Sequence, residues 1–350
     1  MAKRIIKITG IVILCIIAAF TLLVLTHMKA ARMVFWNLVS PKVNIDTESE
    51  WKDGKTYLKI PYSAVSASDY LDLYVLSGTE KPPLYVVVHG GGFILNDSQS
   101  RQAQLMYHYF RDKGFAVASI NYRLADEAPY PGCIEDAKAS IRFLRANAEK
   151  YGYDAQRIAI FGESAGGYLA CMAAFTNDDE FNGVSFIGED QGNPVSGKVQ
   201  VLINYYGAVS LNRNSEDFRE NGLPDIIVKI ANSWLSGDKL HGYSDCESYL
   251  MRKEWSDMTD EEKNLSSPLY YAEKNLTKDS DLHVYTSHGN CDMTVPIQQS
   301  YRLKDTLDKT LGSDKNVLHI VDRAGHAGER MFTDKELSEV LKYMNEYIDN

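Results

Sequence analysis

The sequence predicts an α/β fold: a mostly parallel sheet with helices packed on both faces. Two observations carry this. Short, continuous apolar runs recur along the chain, as in strands buried on both sides. Segments with helical periodicity lie between them, and that alternation is the mark of a parallel sheet sandwiched by helices. The composition allows it, since 45% of the 350 residues are apolar and 11% aromatic, enough to bury a large core and to exclude disorder as the main state. With only 24 Gly and 10 Pro, a collagen-like chain is excluded too.

The N-terminus reads Lys3, Arg4, Lys7 and then an uncharged run of 18 residues, Ile8 to Leu25. That length is at the lower limit for crossing a hydrocarbon core of roughly 30 Å, and the run has no polar face of the kind a soluble helix carries. The exit, Thr26 to Arg32, is a poor cleavage site. The expectation is an uncleaved membrane anchor at 8–25, with a cleaved signal peptide and secretion as the alternative. Basic residues before the run keep residues 1–7 in the cytoplasm and send the bulk across. Residues 26–56 follow as a juxtamembrane segment. Within it Met33, Val34, Phe35, Trp36, Leu38 and Val39 form an apolar stretch that suits either the membrane interface or packing on the folded domain.

The globular part is expected over 57–350. Tyr70–Leu76 alternates apolar and polar residues, as an outer antiparallel strand does. Leu84–Val88, Phe115–Ile120, Ile158–Phe161, Val199–Tyr205, Leu282–Thr286 and Val317–Val321 read as buried parallel strands. Helices are expected over Gln102–Lys113, Glu135–Lys150, Ala165–Phe175, Ile297–Leu311 and Asp334–Ile348. Residues 211–271 break this rhythm. A connection that long has structure or function of its own, and a mostly helical cap insertion over the strand ends is expected.

The charge count, 37 basic against 47 acidic for a net −10, argues against nucleic acid as partner. Cys15, Cys133, Cys171, Cys246 and Cys291 contain no C-x-x-C pair and no zinc-type spacing with His. Free buried thiols are expected, and three disulfide pairings of the last four stay open. Asp225, Asp238 and Asp245 lack metal-loop spacing. No metal or cofactor is expected, and no motif specifies an oligomeric state.

The chemistry begins at Gly162-Glu163-Ser164-Ala165-Gly166, a G-x-S-x-G segment between a predicted strand and a predicted helix. A serine on such a tight bend needs small neighbours at both flanks, and the bend lifts its hydroxyl over the sheet. His89-Gly90-Gly91-Gly92 follows another strand. Backbone N–H groups of Gly91 and Gly92, with that of Ala165, are the expected oxyanion donors. The Gly-rich loop lacks both the Gly-Lys-Ser/Thr ending of a P-loop and dinucleotide-site spacing. A serine nucleophile needs a base and an orienting carboxylate, in the order Ser, acid, His. Of eight histidines, His326 alone lies in a loop beyond the last predicted strand; His288 is the competitor, and His319 sits inside a strand. Asp292 follows a strand end 34 residues before His326 and is the expected acid, over Asp322. Arg123 and Asp136 are expected to form a buried pair holding a loop, and the 22 tyrosines to serve mainly as packing.

The motifs HGGG (89–92), NYRLADEAPYPGCIEDA (121–137), GESAGG (162–167), HGNCDMTVP (288–296) and GHAG (325–328) together resemble the hormone-sensitive-lipase-like α/β-hydrolases. The resemblance covers about residues 57 to 349. Two positions depart from the usual pattern: Asp126 stands where proline is common, and Glu163 where aspartate is. The resemblance implies an eight-stranded, mostly parallel sheet and a serine-hydrolase triad of Ser164, Asp292 and His326. The group comprises carboxylesterases, lipases and deacetylases; the expected activity is a carboxylesterase acting on small or medium uncharged esters, because an apolar acyl pocket is easily built and the elbow admits one carbonyl, with acetylated sugars as a variant. Amide or peptide hydrolysis by the same residues is the alternative chemistry. A silent, membrane-tethered binding protein is the alternative class, whose mark would be a missing triad member; none is missing.

Overall fold

Runs such as Leu84–Val88, without a polar face, can be buried only where helices cover both sides of a sheet. In the computed structural model they form its centre. The structure describes residues 14–15, 17–18, 28–39, 54–78, 81–190, 192–222 and 240–348. The expected anchor at 8–25 lies almost wholly outside these residues, and residues 223–239 of the cap insertion, Asp225 and Asp238 among them, lie outside them too. Among the described residues no helix is long and apolar enough to cross a membrane.

The strands are β1 (Gly54–Pro61), β2 (Tyr70–Leu76), β3 (Pro83–Val88), β4 (Ala116–Ile120), β5 (Asp154–Glu163), β6 (Val201–Tyr205), β7 (His283–Gly289) and β8 (Asn316–Val321). They form an eight-stranded sheet in the order β1-β2-β4-β3-β5-β6-β7-β8. The pairs β1–β2 and β2–β4 are antiparallel, and every pair from β4 to β8 is parallel. This is the α/β-hydrolase arrangement. β1 is an addition to the expected strands. Its residues are half-buried or exposed throughout, so it carries no apolar run to announce it.

The helices named here are α1 (Met28–Leu38), α2 (Arg101–Arg111), α3 (Gly132–Ala146), α4 (Ala165–Phe175), α5 (Asn214–Glu220), α6 (Cys246–Met251), α7 (Asp260–Leu265), α8 (Pro268–Asn275), α9 (Gln298–Thr310) and α10 (Asp334–Tyr347). The expected helix over Glu135–Lys150 begins earlier, at Gly132, and is interrupted at Asn147. Two apolar clusters sandwich the sheet. One packs α3, α4, α8 and α9 on one face, and the other packs α2 and α10 on the opposite face. Eight of the bulkiest wholly buried side chains are tyrosines, among them Tyr62, Tyr85 and Tyr205, so these residues chiefly pack the core. Arg123 donates to the buried Asp136 carboxylate at 2.7 and 2.9 Å, which fixes the loop after β4. The five cysteines are free.

The described part of 211–271 is helical: a short turn at Leu211–Arg213, then α5, α6 and α7. Asp217 of α5 is buried, accepting from Gln299 at 2.6 Å and pairing with Arg302, so α9 clamps this segment onto the fold. α1 also lies against the globular domain. Met33 is buried, and the Arg323 and Arg330 guanidiniums lie over the Trp36 ring at 4.7 and 5.3 Å. Val34, Phe35 and Val39 face outward.

Candidate active site

β5 ends at Glu163 and α4 starts at Ala165, leaving Ser164 alone at the bend with φ 55° and ψ −121°. No L-residue adopts that conformation without strain of order 1–3 kcal/mol, so surrounding contacts must impose it. Ser164 N–H donates to the Tyr205 carbonyl at 3.0 Å, tying the bend to β6. A side chain at Gly162 would collide with the Gly166 carbonyl, and one at Gly166 with the carbonyls of Val88 and His89. The glycines therefore permit the bend and seat it against the end of β3.

The loop after β3 turns on Gly91 and Gly92, whose φ values are +124° and +59°. A methyl at Gly91 would strike the Leu95 carbonyl. Glu163 holds this loop from the elbow: its Oε1 accepts the Gly90 N–H at 2.7 Å. In the sequence Glu163 stands out only as a departure from the usual aspartate. Burial raises its carboxyl above the usual range, while His326, the Gly90 N–H and Tyr206 pull against that shift. His89 stacks on Tyr122 at 4.3 Å and is pushed down to about 4 by burial, so it is neutral and structural.

His326 comes from the loop after β8. Its Nε2 lies 2.9 Å from Ser164 Oγ, and its Nδ1 lies 2.7 Å from Asp292 Oδ2. Tyr206 packs edge-on against the ring at 4.8 Å. Asp292, in the loop after β7, is fully buried. Its Oδ1 accepts the Thr294 and Val295 N–H groups, both at 2.8 Å. Burial would raise this carboxyl, but His326 and the hydrogen bonds from His288 and His326 outweigh it and hold it well below the usual carboxylate range. Burial likewise pushes the His326 imidazole down, yet the facing Asp292, with help from Glu163, lifts it above its ordinary value.

His288 does not reach the serine. Its Nδ1 accepts from the Ser300 hydroxyl at 2.6 Å, and its Nε2–H donates to the Val295 carbonyl at 3.0 Å, with Asp292 Oδ2 at 3.3 Å. It is thus a second imidazole beside the Asp292 Oδ2 that His326 contacts. His319 pairs with Glu336, and Asp322 bonds Asn290 at the surface. The competitors for base and acid therefore have other partners.

A cavity of about 270 Å³ opens over Ser164. Gly91, Gly92 and Ala165 line it beside Ser164 and His326. Its walls are apolar at Phe93, Leu95, Phe218 and Leu240 and polar at Asn96, Gln102, Asp245 and Glu247. Phe218 and Leu240 come from the 211–271 segment. Among the described residues no group of His, Cys, Asp and Glu is placed to hold a metal ion.

A strained serine bend, a Gly-rich loop beside it and a serine–imidazole–carboxylate contact series at the carboxyl ends of β5, β7 and β8, on an eight-stranded mostly parallel sheet, mark an α/β-hydrolase fold. The BD-FAE family model matches residues 71–307. The chain belongs to that family, one of the hormone-sensitive-lipase-like families. Among curated relatives, the esterase LipQ of Mycobacterium tuberculosis is 26% identical over 284 residues, covering 79% of this chain and 59% of that protein. The esterase LipI of the same organism is 39% identical over 92 residues, covering 26% of this chain and 28% of that one. The matches thus span 59% and 28% of these relatives' lengths, less than two thirds of either. A solved structure described as a truncated carbohydrate esterase from gut microbiota aligns with TM-score 0.66 at 24% identity, covering 86% of this chain and 99% of that one.

Proposed function

We propose that the protein is a serine carboxylesterase that cleaves small or medium uncharged esters through an acyl-enzyme. The observation that carries this reading is the unbroken contact series Ser164 Oγ–His326 Nε2–His326 Nδ1–Asp292 Oδ2, at 2.9 and 2.7 Å. His326 takes the hydroxyl proton as Ser164 attacks the ester carbonyl, then delivers it to the leaving alkoxide. Asp292 keeps the proton on Nδ1 and stabilises the imidazolium. The N–H groups of Gly91, Gly92 and Ala165 receive the oxyanion, each such donor contributing on the order of 3 kcal/mol in the transition state. Water, activated by the same imidazole, then releases the acid.

The cavity, somewhat below the roughly 300–1,000 Å³ of drug-sized sites, favours short acyl groups. Acetyl esters, including acetylated sugars, fit that limit. The test is a panel of aryl acetate, butyrate, octanoate and the matching acetanilide. The acetate or butyrate is expected to give the highest kcat/KM. An acetanilide turned over faster than any ester would overturn the reading.

The uncharged run Ile8 to Leu25, with Lys3, Arg4 and Lys7 before it, supports an anchor that holds the hydrolase domain outside the cytoplasm. Alkaline carbonate extraction of membranes tests this: retention in the pellet is expected, and release would overturn it.

Two further outcomes follow from the site. Because Asp292 and Glu163 lift His326, which must be neutral to act as base, kcat/KM is expected to fall on acidification with a midpoint above the ordinary value of about 6.5. Glu163→Gln keeps an acceptor for Gly90 but removes a negative charge, so that midpoint moves to lower pH. Gly91→Ala forces a side chain into a positive-φ position against the Leu95 carbonyl. It should lower kcat by roughly 10²-fold, and calorimetry should show a lowered Tm.

A further inference from the structure

The acid and base loops share a third support. α1, an 11-residue helix, lies across both of them. Asn37 Nδ2 donates to the Cys291 carbonyl at 2.8 Å, one residue before Asp292, and to its own helix at the Met33 carbonyl at 2.7 Å. The Asn37 Oδ1 lies so close to Gly325, one residue before His326, that a side chain there would overlap it. Arg323 and Arg330, on either side of His326, lie over the Trp36 ring. Met33 shares a buried apolar cluster with Cys291 and Phe218, and Phe218 lines the cavity. One short helix therefore touches residues next to the acid and residues next to the base.

We infer that Asn37, on the domain-facing side of α1, is a positioning residue that sets the Asp292–His326 contact. This rests on the esterase reading above. The loops already meet where the Cys291 N–H donates to the Ala324 carbonyl at 2.9 Å, and at Asn290, whose Oδ1 accepts the Arg323 N–H at 2.7 Å and whose Nδ2 donates to Asp322 at 2.9 Å. Those bonds fix their separation on the side away from Asn37. Asn37 adds a wedge on the other side of Cys291, holding the peptide that leads into Asp292 while filling the space over Gly325. Without it the acid loop can rotate about its anchors, and the 2.7 Å contact between Asp292 and His326 loosens. Geometric errors of this size are costly, because proton transfer needs the imidazole held in one tautomer and one orientation. α1 starts three residues after the apolar run ends at Leu25, so the same helix physically links the membrane-proximal chain to the site.

The test compares full-length wild type, Asn37→Ala, the near-isostere Asn37→Leu and the outward-facing control Val34→Ala, in detergent micelles. Two readouts are taken: aryl-acetate kinetics and the low-field proton resonance of the His326 Nδ1–H bonded to Asp292. Both Asn37 variants are expected to lose about tenfold in kcat with KM within twofold, and to shift or broaden the resonance. Val34→Ala should match wild type in both. An Asn37→Ala protein with kcat within twofold of wild type and an unchanged resonance overturns the inference. So does a fall in kcat with the resonance intact, because the helix then acts elsewhere. Full activity in Asn37→Leu alone would show that volume rather than hydrogen bonding matters, and would overturn the Asn37 assignment. Should wild type hydrolyse no ester, the esterase reading fails, and the resonance still decides the positioning role.

Discussion

Ser164→Ala is expected to lower kcat for a short aryl ester by roughly 10⁵–10⁶-fold while leaving the fold intact. The size follows from the role: without the hydroxyl no acyl-enzyme forms, and removing a nucleophile of this type costs about 10⁶ in kcat. The fold should tolerate it. The Ser164 side chain contacts His326 Nε2 at 2.9 Å, and the bend itself is held by backbone contacts to Tyr205 and Tyr168 that alanine keeps. Steady-state kinetics and thermal unfolding check the two halves. A variant within tenfold of wild-type kcat would remove Ser164 from the reaction.

Asp292→Asn should cost roughly 10⁴ in kcat, for a reason that can be followed atom by atom. The asparagine oxygen can keep the Thr294 and Val295 N–H groups, now held by Oδ1 at 2.8 Å. The amide nitrogen then takes the place of Oδ2, facing His326 Nδ1. It donates there, so the imidazole must carry its proton on Nε2, the nitrogen that should accept from Ser164. The same amide nitrogen also meets the Nε2–H of His288, an unfavourable donor–donor approach. The carboxylate that lifts His326 is lost as well, so the residual activity should extend to lower pH. The control is Asp322→Asn, at an exposed carboxylate bonded to Asn290. Its kcat should stay within twofold of wild type. The reverse pattern would exchange the two carboxylates.

Much of this architecture could be read from the chain, and the reason differs by element. β2 at Tyr70–Leu76 and α4 at Ala165–Phe175 match their expected bounds, because alternation marked the first and the elbow fixed the start of the second. β1 escaped because an edge strand is half solvated. Lys55 and Lys59 sit on it, and its register shifts between Tyr57 and Ile60, which breaks the period. The serine bend and the Gly-rich loop are local motifs, so their placement needed only neighbouring residues. Asp292 and His326 could be nominated from chain order and strand ends. What sequence could not carry is the support around them. Glu163 reaches Gly90 across 73 residues, and Asn37 reaches Cys291 across 254, with no local pattern at either end. By position in the sequence His288 is a rival base; its contact with Asp292 depends on how β7 and its loop fold back. α1 suited either the interface or the domain by composition alone, and the buried Met33, with Trp36 under the Arg323 guanidinium, puts one side of it on the domain.

The most direct measurement is the site of covalent capture by a fluorophosphonate, read by peptide mass spectrometry on the full-length protein and on its His326→Ala variant. A single phosphonyl group on the peptide containing Ser164, with labelling slowed at least a hundredfold in the variant, is the expected result. Labelling that is absent, falls on another serine, or proceeds equally fast without the imidazole would contradict the account.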